Sequence, residues 1–330
     1  MINPKAKLSK KIFKPDIEMA AARDGYGKGL LYLGEHNPDV VVLSGDLTES
    51  TRAHWFAEKF PERFIQVGVA EQNMMGIAAG LGLSGKIAFV SSYATFNPGR
   101  NWDQFRVSVC YSQANVKVAG AHAGISVGPD GATHQGLEDI AITRVLPGLV
   151  VVVPCDAIET QKATIALAQD IKGPAYIRFG REKTPVFTTE ETPFKIGRAE
   201  VFRQGSAVAI IGSGFLVHNA LLAAEDLAKQ GIECMVINNH TIKPIDRRTI
   251  VAAAETCGAV VTVEEHQING GAGSAVMEVL AEEYPVPVER VGMPDTFGQS
   301  GSAFELVEYY GMGQDAIIKA VKKVLKRKSH

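Results

Sequence analysis

Glu71 sits where an apolar run, Phe64-Ile65-Gln66-Val67, meets a segment from Met75 to Gly85 made of Gly, Ala, Leu and Ile that can pack a helix tightly. Two opposing effects act on a carboxyl group there. The helix N-terminus favours the anion, whereas burial favours the acid. A carboxyl balanced in this way can share or pass a proton near neutral pH. The plainer alternative is that Glu71 only caps its helix. A second candidate is the glycine-rich stretch from His122 to Gln135 (H-A-G-I-S-V-G-P-D-G-A-T-H-Q). Its two histidines and Asp130 suit metal ligation, a proton relay or contacts to sugar hydroxyls, against a reading as a surface loop with polar caps. Zinc is the weakest of these, because no compact His or Cys pair supplies ligand spacing. Gly212-Ser213-Gly214 follows a strand pattern, but the third glycine and the later acidic residue of a dinucleotide loop are missing. Glu264-Glu265-His266 reads as a surface feature at a strand end.

These residues need elements to position them. A helical pattern runs from Lys14-Pro15-Asp16 to about His36, with Asp16 as the expected N-cap. Strands are expected at 40–43, 64–67, 87–91, 116–120, 149–153 and 175–178. Helices are expected between them at 71–84, 98–112, 137–144 and 156–170. Runs of β-branched residues alternating with helices predict a doubly wound, mostly parallel sheet. Ligands of such sheets bind beyond the carboxyl ends of the strands. Asp46, Glu71, Tyr93, His122 and Arg181 all fall there or just past it. Residues 184–194 are polar, proline-bounded and without periodicity, which predicts a linker. A second, smaller α/β pattern then covers 195–330, with strands at 207–212, 232–237, 259–263 and 287–291 and helices at 216–229, 247–256 and 272–283. Residues 1–14, basic and without an apolar core, read as a solvated tail before a first domain at 15–183.

The totals exclude several classes. Lys plus Arg is 34 and Asp plus Glu 36, so no charge excess points to nucleic acid or membrane. With 46% hydrophobic and 21% charged residues the composition is that of a soluble globular chain. No apolar run reaches the roughly 18 to 20 residues that span a bilayer. Cys110, Cys155, Cys234 and Cys257 lack metal or C-x-x-C spacing and read as reduced core thiols of a cytoplasmic protein.

Several motifs, in order, carry a resemblance: G-V-A-E-Q-N-M (68–74), S-S-Y-A-T-F (91–96), R-N-W-D-Q-F-R (100–106), the loop H-A-G-I-S-V-G-P-D-G-A-T-H-Q-G-L-E-D (122–139), Y-I-R-F-G-R-E (176–182), T-I-K-P-I-D (241–246) and F-G-Q-S-G (297–301). From about residue 15 onward the chain resembles the C-terminal half of a transketolase: a thiamine diphosphate-binding, pyrimidine-type α/β domain followed by a smaller α/β C-terminal domain. The resemblance implies that Glu71 hydrogen-bonds the aminopyrimidine nitrogen of the cofactor and favours the tautomer that removes the thiazolium proton. It places Tyr93 and Phe96 around the aminopyrimidine, where flat rings offer stacking area, and Asp46 near the cofactor. His134 falls near the reacting centre, and Asp130 at a substrate hydroxyl. Arg23, Ser50, His122 and Arg181 fall on the sugar phosphate, which prefers bidentate, charge-assisted donors. The family often has a third aromatic where this chain has Asn97-Pro98-Gly99.

The family's other half, with its G-D-G…N motif for the divalent metal and diphosphate, is absent from this sequence. The resemblance therefore implies a split transketolase, with thiamine diphosphate shared with a separate N-terminal subunit that holds Mg²⁺ or Ca²⁺, in an α2β2 heterotetramer. A truncated chain would present the same residues, and the Met1 start argues against that. The implied reaction is two-carbon ketol transfer between ketose and aldose phosphates, as in the pentose phosphate pathway. Three alternatives are weighed: the β subunit of a thiamine-dependent 2-oxoacid dehydrogenase, a 1-deoxyxylulose-5-phosphate synthase-like protein, and a non-catalytic regulatory subunit. The dehydrogenase does not need the phosphate-holding set, the H-A-G-I-S-V-G and I-R-F-G-R-E contexts fit transketolase better than the synthase, and a non-catalytic subunit would be expected to lose Glu71, Tyr93 or Phe96.

Overall fold

The computed structural model of the protein describes residues 1–328; Ser329 and His330, the end of the expected second domain, lie outside them. A short strand β1 (Met19–Ala21) leads into α1 (Ala22–His36), β2 (Val40–Ser44), α2 (His54–Lys59), β3 (Phe64–Gln66), α3 (Glu71–Leu83) and β4 (Ile87–Tyr93). Then come the single turn α4 (Trp102–Gln104), running on as a π-helix over Phe105–Tyr111, β5 (Val116–Ala121), α5 (Asp139–Arg144), β6 (Val150–Val152), α6 (Ala157–Gln169) and β7 (Ala175–Arg178). Six of these strands make a parallel sheet in the order β6-β7-β5-β4-β2-β3. Helices cover both faces. Side chains from α1, α2 and α6 meet one face, and those from α3 and the π-helix meet the other. The expected doubly wound architecture is present, and its strands end where the candidate residues begin.

Beyond β7 come β8 (Lys183–Pro185), β9 (Glu200–Arg203), β10 (Ala209–Gly212), α7 (Leu216–Ala228), β11 (Met235–Asn238), β12 (Thr241–Lys243), α8 (Arg247–Cys257), β13 (Val260–Gln267), α9 (Ala272–Glu283), β14 (Val288–Met293), α10 (Ala303–Tyr309) and α11 (Gln314–Lys328). The second sheet runs β14-β13-β10-β11-β9, parallel except for β9. Strand β12 leaves this unit and pairs antiparallel with β6, so the second unit supplies an edge strand to the first sheet.

Four expectations are corrected. Helix α1 starts at Ala22, not near Asp16: residues 19–21 pair instead with β8, and Asp16 is an exposed partner of Lys11 at 2.7 Å. The expected helix over 98–112 shrinks to α4 and the π-helix, because Asn101 turns its amide to the Glu71 carbonyl (3.1 Å) and the Asn97 side chain (2.9 Å). Residues 1–14 are not a solvated tail. Ala6 and Ile12 are buried against the second unit, Asn3 N–H donates to Phe202 O (2.9 Å), and the His218 ring bonds Ile12 O (2.9 Å). The segment 184–194 connects the units but is pinned. Asp156 accepts from Phe187 N–H and from both donors of Thr188, and Lys162 donates to the carbonyls of Thr189, Glu190 and Thr192.

All four cysteines are free and buried, and burial pushes the Cys110 and Cys234 thiols up to about 12. No helix among the described residues is long and apolar enough to cross a membrane.

Candidate functional site

Glu71 is the first residue of α3 and is 1% exposed. It does not cap that helix: the N-cap is Ala70, without a side-chain hydrogen bond. Its Oε2 instead accepts from Arg100 Nη1 at 2.8 Å. The same guanidinium lies 4.7 Å from the centroid of Phe96, so one cation touches the carboxylate and a ring face. Phe96 lies near-parallel to Tyr93 at 6.2 Å, and Tyr93 stacks on His122 at 4.0 Å. His134 meets Phe96 edge-on at 5.5 Å and Tyr93 at 6.2 Å. Strand geometry explains the gathering. Tyr93 ends β4 and His122 follows β5 directly, and these strands are hydrogen-bonded neighbours with Tyr93 opposite Ala121.

A cationic end lies past the rings. His122 is 1% exposed, has φ 51°, and its Nδ1 is buried without a hydrogen-bond partner. Burial, followed by the charges of Arg23, Arg181 and Arg52, presses its pKa down to about 3, so the ring is neutral at physiological pH. Arg23, in the first turn of α1, donates from Nη1 to Ser50 O (3.0 Å), while its Nε is buried and unpaired. Burial and the neighbouring Arg52 lower its pKa. Arg181 donates to Val127 O (3.1 Å) and Asp130 Oδ1 (3.2 Å), tying the strand end after β7 to the glycine-rich loop. Like-charged guanidiniums around an unpaired imidazole nitrogen have the chemistry to receive an anion. Unpaired buried donors are costly, and an oxyanion would relieve that cost.

The structure thus brings together Glu71, Tyr93, Phe96, His122, His134, Asp130, Arg181, Arg23 and Ser50. Ser50 contributes its carbonyl to Arg23. Asp46 stands apart: it is exposed, takes φ 64°, and among the described residues only its backbone N–H is bonded, to Gln66 Oε1. His134 Nδ1 pairs with Thr133 Oγ1 at 2.9 Å. Among the described residues no group of three or more His, Cys, Asp or Glu is placed to hold a metal ion.

Three residues belong here that sequence reasoning missed. Arg52 pairs with Asp24 at 2.6 Å and adds its charge to the arginine group. Arg100 was visible only as part of a helical motif, although its position four residues after Phe96 was a usable signal. Glu265, expected on the surface, is 4% exposed; Glu264 and His266 are 1% and 0% exposed. Glu264 accepts from Ala272 and Gly273 N–H at the start of α9, and Glu265 accepts from Ser126 N–H of the glycine-rich loop at 2.5 Å. The strand continues four residues past its expected end and is covered by the first unit.

A buried carboxylate, stacked rings and a cationic end thus gather at the strand termini of a parallel α/β sheet, where sheets of this class bind their ligands. Residues 18–186 match the transketolase pyrimidine-binding domain and residues 197–317 the transketolase C-terminal domain, and the chain belongs to the transketolase family. It is 44% identical over 308 residues to a protein of Methanocaldococcus jannaschii described as a transketolase C-terminal section, covering 92% of this chain and 96% of that one. It is 40% identical to a 6-deoxy-6-sulfo-D-fructose transketolase subunit of a Clostridium species, over 96% of this chain and 98% of that one. A solved structure described as a split gene transketolase, an inactive beta4 tetramer, superposes with a TM-score of 0.87 at 46% identity, covering 93% of this chain and 99% of that chain. The chain covers 49% of transketolase-like protein 2 of Mus musculus, at 42% identity. It corresponds to the C-terminal half of the transketolase architecture.

Proposed function

We propose that this chain is the C-terminal subunit of a split transketolase and catalyses two-carbon ketol transfer together with a separate N-terminal subunit. The observation that carries the reading is the continuous path from the buried carboxylate of Glu71, through the Phe96 and Tyr93 rings, to His122 and the arginines. Thiamine diphosphate, when bound, supplies the nucleophilic carbon and the electron sink of the reaction. The residues present fit its pyrimidine part: a buried carboxylate for a ring nitrogen and two ring faces for stacking. The donor set beside them is aromatic and cationic, whereas Mg²⁺ or Ca²⁺ takes oxygen ligands, so the metal and the diphosphate it accompanies are assigned to the N-terminal subunit.

Glu71 holds the proton at the aminopyrimidine nitrogen, and Tyr93 and Phe96 exclude water from that contact. Asp46 belongs to the cofactor side by its place at the end of β2. Arg23, Arg181, His122 and Ser50 bind the phosphate of the sugar, and neutral His122 can donate a hydrogen bond from whichever nitrogen carries its proton. Asp130, held by Arg181, orients a substrate hydroxyl. His134, edge-on to both rings, moves a proton at the reacting carbon's oxygen. The assembly is an α2β2 heterotetramer in the cytoplasm, a location supported by the four free thiols. Relatives are named for sulfofructose and for apulose 4-phosphate, both anionic, which supports an anionic-sugar reading of the arginine group.

The test is to mix the purified chain with its N-terminal partner and supply xylulose 5-phosphate and ribose 5-phosphate. Ketol transfer is the expected result. Activity confined to pyruvate with a lipoyl acceptor would favour a 2-oxoacid dehydrogenase instead.

A further inference from the structure

Among the contacts of the C-terminal unit with the glycine-rich loop is a buried carboxylate. Glu265, near the end of β13, is 4% exposed and accepts from the Ser126 backbone N–H at 2.5 Å. Ser126 lies four residues after His122 and four before Asp130, in the middle of the glycine-rich loop. Gly124 makes room for the contact. With φ 87° it takes a conformation L side chains rarely adopt, and a Cβ there would lie 2.2 Å from the Glu265 carboxyl carbon. The backbone that carries Glu265 is itself held, since Arg178 donates from Nη2 to Glu265 O at 2.6 Å while its Nε pairs with buried Asp139 at 2.9 Å. A second contact fixes the far end of the loop: Gln135 Nε2 donates to Gln299 O at 3.0 Å.

We propose that Glu265 is a positioning residue for the transfer reaction, by which the C-terminal unit sets the conformation of the loop carrying His122, Asp130 and His134. The inference rests on the role given to that loop in the proposed function. The residue acts as a hydrogen-bond acceptor rather than as a charge. Burial pushes its pKa up to about 7, against the opposing pull of Arg178 and Ser126, and the carbonyl oxygen of the neutral acid still accepts a hydrogen bond, though a weaker one than the carboxylate accepts. Glutamine preserves reach and acceptor. Aspartate preserves charge but is one methylene short of Ser126.

The experiment uses the assembled enzyme and compares Glu265→Gln, Glu265→Asp and Glu265→Ala for kcat, KM, cofactor affinity and hydrogen exchange at the Ser126 amide. Gln should stay within about threefold of wild type. Asp and Ala should lose about tenfold or more in kcat/KM for sugar phosphate, the cost of one buried hydrogen bond. Their cofactor affinity should be unchanged and their Ser126 amide should exchange faster. If Ala does not fold, the Asp–Gln contrast alone decides. A tolerated Asp with an impaired Gln, equal behaviour of the two, or cofactor binding lost in step with activity would overturn the proposal. Exchange at Ser126 does not depend on the reaction, so an enzyme inactive on sugar phosphates but with the predicted exchange pattern would overturn the catalytic role and its parent reading while leaving the contact established.

Discussion

The ion pair between Glu71 and Arg100 joins a carboxylate that is 1% exposed to a guanidinium that is 49% exposed. The carboxylate is fixed by the fold, and the guanidinium lies where it can yield to a ligand. Glu71→Gln keeps shape and acceptor but removes the group proposed to hold the proton. It should leave folding and assembly intact while lowering ketol transfer by about 100-fold or more, read as slowed deuterium exchange at the thiazolium carbon; unchanged exchange would remove the role given to Glu71. Arg181→Gln should raise KM for phosphorylated sugars about 10- to 100-fold, the worth of a charge-assisted bond. It should change KM for an unphosphorylated ketose little. The His122 pKa of about 3 also fixes the sign of a pH effect. Its folded value lies below the unfolded value near 6.5, so the unfolded chain takes up the proton first and stability falls as pH drops from about 6.5 toward 3. Melting temperature against pH should show a shallower acid slope in His122→Asn. At this scale the sequence spoke through residue type and place. Glu71, His122 and Arg181 were legible as strand-end polar groups. Arg52, Arg100 and Glu265 were not, because each acquires its role from a partner between 28 and 139 positions away.

The elements deliver these residues by being short at the carboxyl ends of a parallel sheet. Helix α1 brings Arg23 to the site only because it lies flush on α6. A Cβ at Gly25 would sit 1.9 Å from the Ala157 carbonyl oxygen, so the two backbones pack with nothing between them. Gly25→Ala should destabilise the fold by about 1 to 3 kcal/mol, as overpacking does, and should raise KM for sugar phosphate through displaced Arg23. Chemical denaturation and kinetics on the same variant check both effects. The interior strands and the helices between them were legible because fully buried parallel strands read as continuous apolar runs. The three-residue strands β1, β8 and β12, and the edge strand β9, were not. Their register is set by partners far along the chain, Met19 with Pro185 and Thr241 with Val152, and not by any local period. The π-helix was missed for a similar reason. Asn101 spends its side chain on Glu71 and Asn97 rather than on local capping.

At the scale of the whole molecule the two units are interlocked. Strand β12 crosses from the second unit to the first sheet, the first fourteen residues lie on the second unit, and Glu265 reaches the glycine-rich loop. Contacts of this kind predict one cooperative unfolding transition rather than two, checked by coincidence of near- and far-ultraviolet circular dichroism on heating. Removing residues 1–12 should lower the melting temperature by uncovering the surface buried by Ala6 and Ile12. In the proposed function the chain supplies one side of a shared site, with half-exposed Arg100 against the Phe96 ring. The most direct measurement is equilibrium binding of thiamine diphosphate with Mg²⁺ to this chain alone and to its equimolar mixture with the N-terminal subunit. Weak binding alone, with a gain of about 100-fold or more in the mixture from completing the diphosphate contacts, is the predicted result. Tight, metal-dependent binding by this chain alone would contradict the account.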